Sequence, residues 1–385
     1  MGTSEEAVGQ RLSRTSLRDF RPAPPDEKRN YDLPLYREKL SREEAPIPPL
    51  LRHALNLIGI SHSGPAEKVA WWASFSYKGY ACDLVHRKFG LWLHILGDLT
   101  EVQADDLMAE MRQKLAAAVA VVEKSLAETA RDTLNAGNVT VINQHGQLRR
   151  AYGYFRERAE HPDVVEDVSR TEQSEHGTWS TFSSGQDVMA MNAFHDLVAA
   201  ISAFMSSLEH DLVLMLPFEG FKPTTDDLTG IIGDRWGLKW RRVVGHADPE
   251  AVRLYGRLAA VVERWRNPYS HGGFEKGHGA TIYVHTPGLG ALPVGLSDVR
   301  DSPLFSFHPA SEADIDGVFR LFDEIDTYLA KTFPHAMEWI ASGLDVQFDA
   351  DFRTQVANYI ESDGNLQMLI DAHHYRADMI ANMDF

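Results

Sequence analysis

An apolar rhythm near the middle of the chain constrains the fold most: Phe194, Leu197, Val198, Ile201, Phe204, Met205, Leu208, Leu212 and Met215 recur at steps of three and four. That period lines one side of a helix, so the segment predicts a long amphipathic helix that ends before Pro217 and needs a partner for its apolar face. Ile231, Ile232, Trp236, Leu238 and Trp240 mark a shorter segment downstream. Leu254, Leu258, Val261 and Trp265 then share one face of a helix from Val252 to Trp265. Ile315, Val318, Phe319, Phe322, Ile325 and Leu329 open a last long helix, and Thr281-Ile282-Tyr283-Val284 before it reads as a short extended insert.

A chain of 385 residues is long enough for two domains. Residues 1–49 are charged and proline-punctuated, as in Arg21-Pro22-Ala23-Pro24-Pro25, and read as a flexible or surface-wrapping arm. Residues 50–160 read as mostly helical. Thr100-Glu101-Val102-Gln103 forms a capping box ahead of a long helix striped by Met108, Met111, Leu115, Val119, Val122 and Leu126, which stops near Asn135-Ala136-Gly137-Asn138. A brief extended patch at Val139-Thr140-Val141-Ile142 precedes a further helix from Leu148 to Arg158. Trp71, Trp72, Phe75, Tyr77 and Tyr80 read as an aromatic-rich helix packed into a core, with base stacking as the alternative. Residues 161–187 are a polar linker, 188–345 a C-terminal helical domain and 346–385 a helical extension. The fold class expected is therefore mainly α, with a short extended or β insert.

A formal charge of −17 argues against coating nucleic acid broadly, yet leaves room for a local basic cleft. Arg235, Lys239, Arg241 and Arg242 cluster before the motif described next, and Arg253, Arg257 and Arg264 share a helical face. Cys82, the single cysteine, excludes an internal disulfide and fits a reducing cytoplasm, where it packs as a core residue. With no secretory leader and no apolar run near the ~20 residues of a bilayer span, a soluble cytoplasmic protein without a membrane partner is expected. His62, His86 and His94 are scattered, and His373 and His374 point apart on a helix, so neither metal nor cofactor is expected. Gly288-Leu289-Gly290 lacks the third glycine of a dinucleotide loop, and no phosphate loop occurs.

Arg266-Asn267-Pro268-Tyr269-Ser270-His271-Gly272 closes the third helical run and sets a permanent cation one short turn from a titratable imidazole. The stretch resembles the Arg-Asn-x-x-x-His signature of the HEPN superfamily, helical domains many of which are metal-independent ribonucleases. Arg266, Asn267 and His271 occupy the signature positions, and long helices on either side of the motif helix match the HEPN order. The resemblance implies an endoribonuclease whose motifs meet across a homodimer. His271 is then the acid or base for attack by the ribose 2′-hydroxyl, Arg266 steadies the phosphate and Asn267 supports the motif. Arg241, Arg242, Arg257, Arg264 and Tyr269 are expected to bind the RNA substrate, with Glu209 and His210 as secondary candidates for the same cleft. Pro268 predicts a kink or helix end at Asn267. Gly273 stands where related toxins carry a modifiable tyrosine. Such an enzyme would serve as effector of a stress or antiphage defence system, its N-terminal half sensing a signal or binding an inhibitor. The alternative is a noncatalytic HEPN-like module binding RNA, a nucleotide or a protein partner.

Overall fold

The computed structural model describes residues 2–24, 32–43, 47–135, 137–175, 177–223, 225–270, 283–293, 309–361 and 366–383. Two compact units divide the chain: Met1–Leu134 with Asp371–Phe385, and Asn135–Ile370. Helix makes up 59% and strand 18%, which corrects the mainly α expectation to a mixed α/β protein in which helices predominate.

The largest sheet lies in the first unit. Its elements are α1 (Gly2–Arg14), β1 (Phe20–Pro22), β2 (Leu35–Lys39), α2 (Pro48–Leu57), β3 (His62–Ser63), β4 (Val69–Tyr77), β5 (Tyr80–Arg87), β6 (Gly90–Leu96) and α3 (Glu101–Asn135). The sheet is antiparallel in the order β1-β4-β5-β6-β2, with β3 also on β4. Along β4, Trp71, Ala73, Phe75 and Tyr77 are buried while Trp72, Ser74 and Ser76 are half-buried. A period of two belongs to a strand, so of the aromatic group expected on a helix Trp71, Phe75 and Tyr77 share one face of β4, Trp72 lies on the other, and Tyr80 begins β5. Lys78 at φ 50° and Gly79 at φ 90° supply the left-handed turn that joins β4 to β5.

The sheet packs with α3, whose Met108, Met111, Leu115, Val119 and Val122 share one core with Trp71, Phe75 and Leu93. The capping box forms: Thr100 N donates to Gln103 Oε1 at 2.9 Å and Gln103 N to Thr100 Oγ1 at 3.3 Å. Residues 1–49 are not simply an arm, because Leu12, Leu17, Phe20 and Leu40 are at most 4% exposed and belong to this core. Pro22 sits on the edge strand β1, where a missing amide hydrogen is tolerated. Helices α1 and α2 approach closely, since a Cβ on Gly9 would lie 2.3 Å from the Leu57 carbonyl oxygen.

The second unit holds β7 (Thr140–Val141), α4 (His145–Glu160), β8 (Val168–Ser174), β9 (Gly177–Ser183), α5 (Gly185–Met215), α6 (Leu228–Gly233), α7 (Trp236–Val243), α8 (Pro249–Val261), α9 (Asn267–Ser270), β10 (Tyr283–Thr286), β11 (Gly290–Pro293), α10 (Glu312–Thr332), α11 (Pro334–Ser342), β12 (Val346–Gln347) and α12 (Ala350–Glu361). The first turn of α13 (Leu366–Asn382) completes it. Ser184 caps α5 by accepting the Asp187 amide at 3.3 Å. Phe194, Leu197, Ile201, Phe204, Leu208 and Leu212 of α5 then share a core with Leu254 and Leu258 of α8 and Phe319 and Phe322 of α10. Phe204 and Phe322 stack with centroids 3.8 Å apart. Among the described residues, Gly185–Phe218 alone has the length and composition of a bilayer-crossing helix. Here that apolar composition supplies core contacts.

Two expectations about this half are refined, and a third is met in its described part. Residues 161–187 contain the β8–β9 hairpin, exposed throughout, in which Thr171 and Ser180 hydroxyls meet across the strands at 3.2 Å. Residues 346–385 are no mere extension, because Val346, Phe348 and Phe352 are at most 2% exposed and β12 pairs with β7. In the predicted extended insert, Thr281 and Ile282 lie outside the described residues. Tyr283–Thr286 pairs with Gly290–Pro293, and Gly288 at φ 80° serves that hairpin turn.

Candidate functional site

The motif is carried on a helix started by Asp248, whose side chain accepts the Glu250 amide at 3.0 Å, with Pro249 in the first turn. After Val261 the helix widens into a π-turn over Val262–Arg266. Pro268 explains the widening: it has no amide hydrogen, and its ring crowds the carbonyl four residues earlier, that of Arg264. A wider turn relieves this crowding without ending the helix. Asn267 donates its amide to the Val262 carbonyl and keeps helical angles of φ −61° and ψ −41°. The expected kink or helix end at Asn267 is therefore a π-turn followed by one more helical turn to Ser270.

Arg266 is half-buried, and its Nε is a buried donor with no hydrogen-bond partner among the described residues. Its neighbour Trp265 is 3% exposed and packs against Phe194 of α5, with centroids 6.1 Å apart. Tyr269 reaches the same ring edge-on at 5.2 Å and is itself 39% exposed. Asn267 is half-buried. His271 lies outside the described residues, as do Gly272 and Gly273. The structure thus places Arg266, Asn267 and Tyr269 at one end of the helix, against the N-terminal part of α5.

The other arginines go elsewhere. Arg242 pairs with Asp226 at 2.7 Å, Arg257 with Glu324, and Arg264 approaches Asp314 at 3.8 Å while lying over the Trp265 ring at 4.6 Å. Arg241 rests over Tyr255 at 5.9 Å. Tyr255 precedes Arg266 by about 16 Å of helix. The basic stripe of α8 is thus matched by carboxylates of α10, and Arg242, Arg257 and Arg264 each face a carboxylate while Arg241 lies over Tyr255. Glu209 and His210 follow Phe194 by about 22 Å along α5, too far to share its cleft. Glu209 instead pairs with the buried Lys239 at 3.1 Å.

Two features of this unit escape the periodicity of the sequence. His195, exposed on α5, packs its ring against Phe194 at 5.7 Å and so stands beside the ring that receives Trp265 and Tyr269. The second is a polar network. Asp211, 1% exposed, receives His145 Nδ1 at 2.9 Å and lies 3.9 Å from Arg149 Nη2. Arg149 grips Asp326 with two hydrogen bonds of 2.7 and 2.6 Å. Asp211 falls seven residues after Phe204, on the apolar face of α5, and a carboxylate at such a position is the signal for a buried partner.

His210 Nε2 accepts the Gln144 amide at 2.9 Å, which requires that nitrogen to be unprotonated. Burial pushes its pKa below the ordinary imidazole value, the Asp211 charge opposing and His145 adding to the effect. The unfolded chain therefore takes up this proton first, so stability present above about pH 6.5 is lost as the pH falls through that value toward the lower folded one. Amide exchange at the first turn of α4, corrected for intrinsic rates, should quicken on acidification below that point. Unchanged protection would contradict the assigned hydrogen bond.

A cavity of about 650 Å³ lies beside Glu250, Arg320, Asp323, Glu324, Tyr328 and Lys331. Glu250 is four turns before Arg266, and the acids lining the cavity disfavour a phosphate, so it does not belong to the motif. Among the described residues no three His, Cys, Asp or Glu side chains converge as metal ligands. No protein-family model matches the chain, and neither the curated proteins nor the solved structures provide a match.

Proposed function

We propose that the second unit is a metal-independent endoribonuclease of HEPN type, acting on RNA through Arg266 and His271. The observation that carries this reading is a contrast among arginines. Arg242, Arg257 and Arg264 face carboxylates, whereas Arg266 has no ion pair among the described residues and keeps a buried Nε without a partner. Such a donor gains its missing hydrogen bond when an anionic oxygen arrives. In the proposed reaction one His271 takes the proton of the ribose 2′-hydroxyl as its oxygen bonds to the adjacent phosphorus, the P–O5′ bond breaks, a second His271 gives a proton to the leaving 5′ oxygen, and Arg266 holds the nonbridging oxygens as their charge grows. Asn267 supports the turn. One motif supplies one such imidazole, so two protomers facing across a two-fold axis would supply both base and acid. The proposed setting is a cytoplasmic stress or antiphage effector.

The ion pairing of Arg242, Arg257 and Arg264 favours a second reading, in which the same helices bind RNA or a protein partner without cleaving it. The test is a labelled RNA pool incubated with the purified full chain in excess chelator. Fragments ending in 2′,3′-cyclic phosphate and 5′-hydroxyl are expected, with His271→Ala slower by about 10²–10⁴. Equal cleavage by a folded His271→Ala protein would remove the catalytic assignment. Activity that vanishes with chelator and returns with one metal would do the same. RNA binding without turnover would establish the second reading.

A further inference from the structure

We infer that the first unit carries a binding site for a nucleotide-sized phosphorylated ligand, in the cavity of about 820 Å³ between the end of β2 and the β5–β6 turn. This goes beyond the ribonuclease reading and does not depend on it. Among the described residues, three cations line the cavity, Lys39, Arg42 and Lys88, together with Ser41, His86 and Phe89, and no carboxylate does; Glu44 lies outside the described residues. In a chain of net charge −17 such a place is exceptional, since anions are repelled from most of the surface and drawn here. Glu43 is exposed next to Arg42 in the chain but is not part of the lining. Neither Lys39 nor Arg42 has an ion pair or side-chain hydrogen bond among the described residues, and Lys88 Nζ meets only the neutral amide of Asn382, at 3.0 Å.

The cations are placed by the fold. Gly90, at φ 128°, lets the Lys39 stem cross it: a Cβ there would lie 2.6 Å from Lys39 Cε. Backbone pairing of Leu40 N with the Leu91 carbonyl at 2.9 Å ties the end of β2 to the same turn. Pro48 lines the cavity at the start of α2, where Pro48 and Pro49 have no amide hydrogens to offer, so the side chains must recognise the anion.

The rest of the lining suits a planar ring. Phe89 is 76% exposed at the tip of the turn, an unusual place for a phenyl group and a ready face for a base. His86 is half-buried, with its pKa lowered by burial and by the charge of Arg52, so it can accept or donate a hydrogen bond as a neutral ring. The volume falls within the range of small-molecule sites and matches one polyphosphate with one base. It does not provide the extended basic track that a nucleic-acid strand requires.

The experiment is calorimetric titration of the full chain with ATP, inorganic triphosphate and adenosine, in wild type and in Arg42→Ala, Lys88→Ala and Phe89→Ala. All three positions are exposed, and unchanged circular dichroism checks the fold. ATP is expected to bind, each lost cation weakening it about tenfold, in keeping with a charge-assisted hydrogen bond. Phe89→Ala should weaken ATP but not triphosphate. ATP should also move the His86 imidazole titration upward by NMR, and Arg266→Ala should leave ATP affinity unchanged. No ATP binding at about millimolar concentration would overturn the site. So would equal affinity in an Arg42→Ala/Lys88→Ala double variant, or binding of single-stranded RNA without ATP binding. Triphosphate affinity equal to that of ATP would overturn the base-stacking half.

Discussion

Arg266→Met is expected to slow RNA cleavage by about 10²–10³, the cost of removing one donor aimed at a developing oxyanion, while leaving the second unit as stable as before or slightly more so. The two halves of this expectation come from the same atom. A buried Nε without a partner costs the folded chain about 1–3 kcal/mol, and methionine keeps an apolar stem in place of the guanidinium stem while removing that donor. Arg266→Lys should fail to restore cleavage, because an ammonium keeps the charge but not the planar fork that grips two phosphate oxygens. Cleavage rates and unfolding midpoints of the three proteins decide the matter. Wild-type cleavage by Arg266→Met would end the assignment, and a loss of several kcal/mol in its stability would show the guanidinium to be structural.

The same residue shows where sequence stops being informative. Its place at the end of a periodic helix follows from Leu254, Leu258 and Val261, because one apolar face survives at a spacing of three and four. The response to Pro268 does not follow, since a proline can end, kink or widen a helix, and the packing of Trp265 and Tyr269 on Phe194 accompanies widening here. Local pattern is also blind to ion pairs. Arg257 and Arg264 look like a basic face until Glu324 and Asp314, far along the chain, are folded against them.

The strands of the first unit are hidden in the sequence for a different reason. The period of two in Trp71, Ala73, Phe75 and Tyr77 is blurred by Trp72, and β6 is apolar almost without interruption, so aromatic density masks the alternation. Turn chemistry is the better guide: Lys78 and Gly79 both have positive φ, and Gly90 closes the Lys88-Phe89-Gly90 turn at φ 128°, conformations that between apolar runs mark a hairpin. The cavity beside Phe89 lies at the second of these turns, and only the return of β2 to the sheet edge brings Lys39 and Arg42 to it.

Arg149→Met should produce the largest loss of stability in the second unit, about 3 kcal/mol at neutral pH. The arginine is the cation between two carboxylates, hydrogen-bonded to Asp326 and 3.9 Å from the buried Asp211, and it also lies over the Phe204 ring at 5.4 Å. Removing it leaves both acids without this counter-charge. The lower end of the range for broken buried pairs applies because Asp326 is 34% exposed and retains some water. Burial already pushes the Asp326 carboxyl above the usual range against the pull of Arg149, and without Arg149 it should rise further. A carboxyl whose folded pKa lies above its unfolded value contributes stability that is complete below the unfolded value, near pH 4, and is lost as the pH rises through the folded one. The deficit of Arg149→Met should therefore shrink on acidification from pH 7 toward pH 5, and Arg149→Met/Asp326→Leu should recover much of it at pH 7. Hydrogen exchange across α4, α5 and α10 reads this unit separately from the sheet-bearing one. A deficit that does not change with pH would place the cost in lost packing over Phe204 and not in the stranded charge.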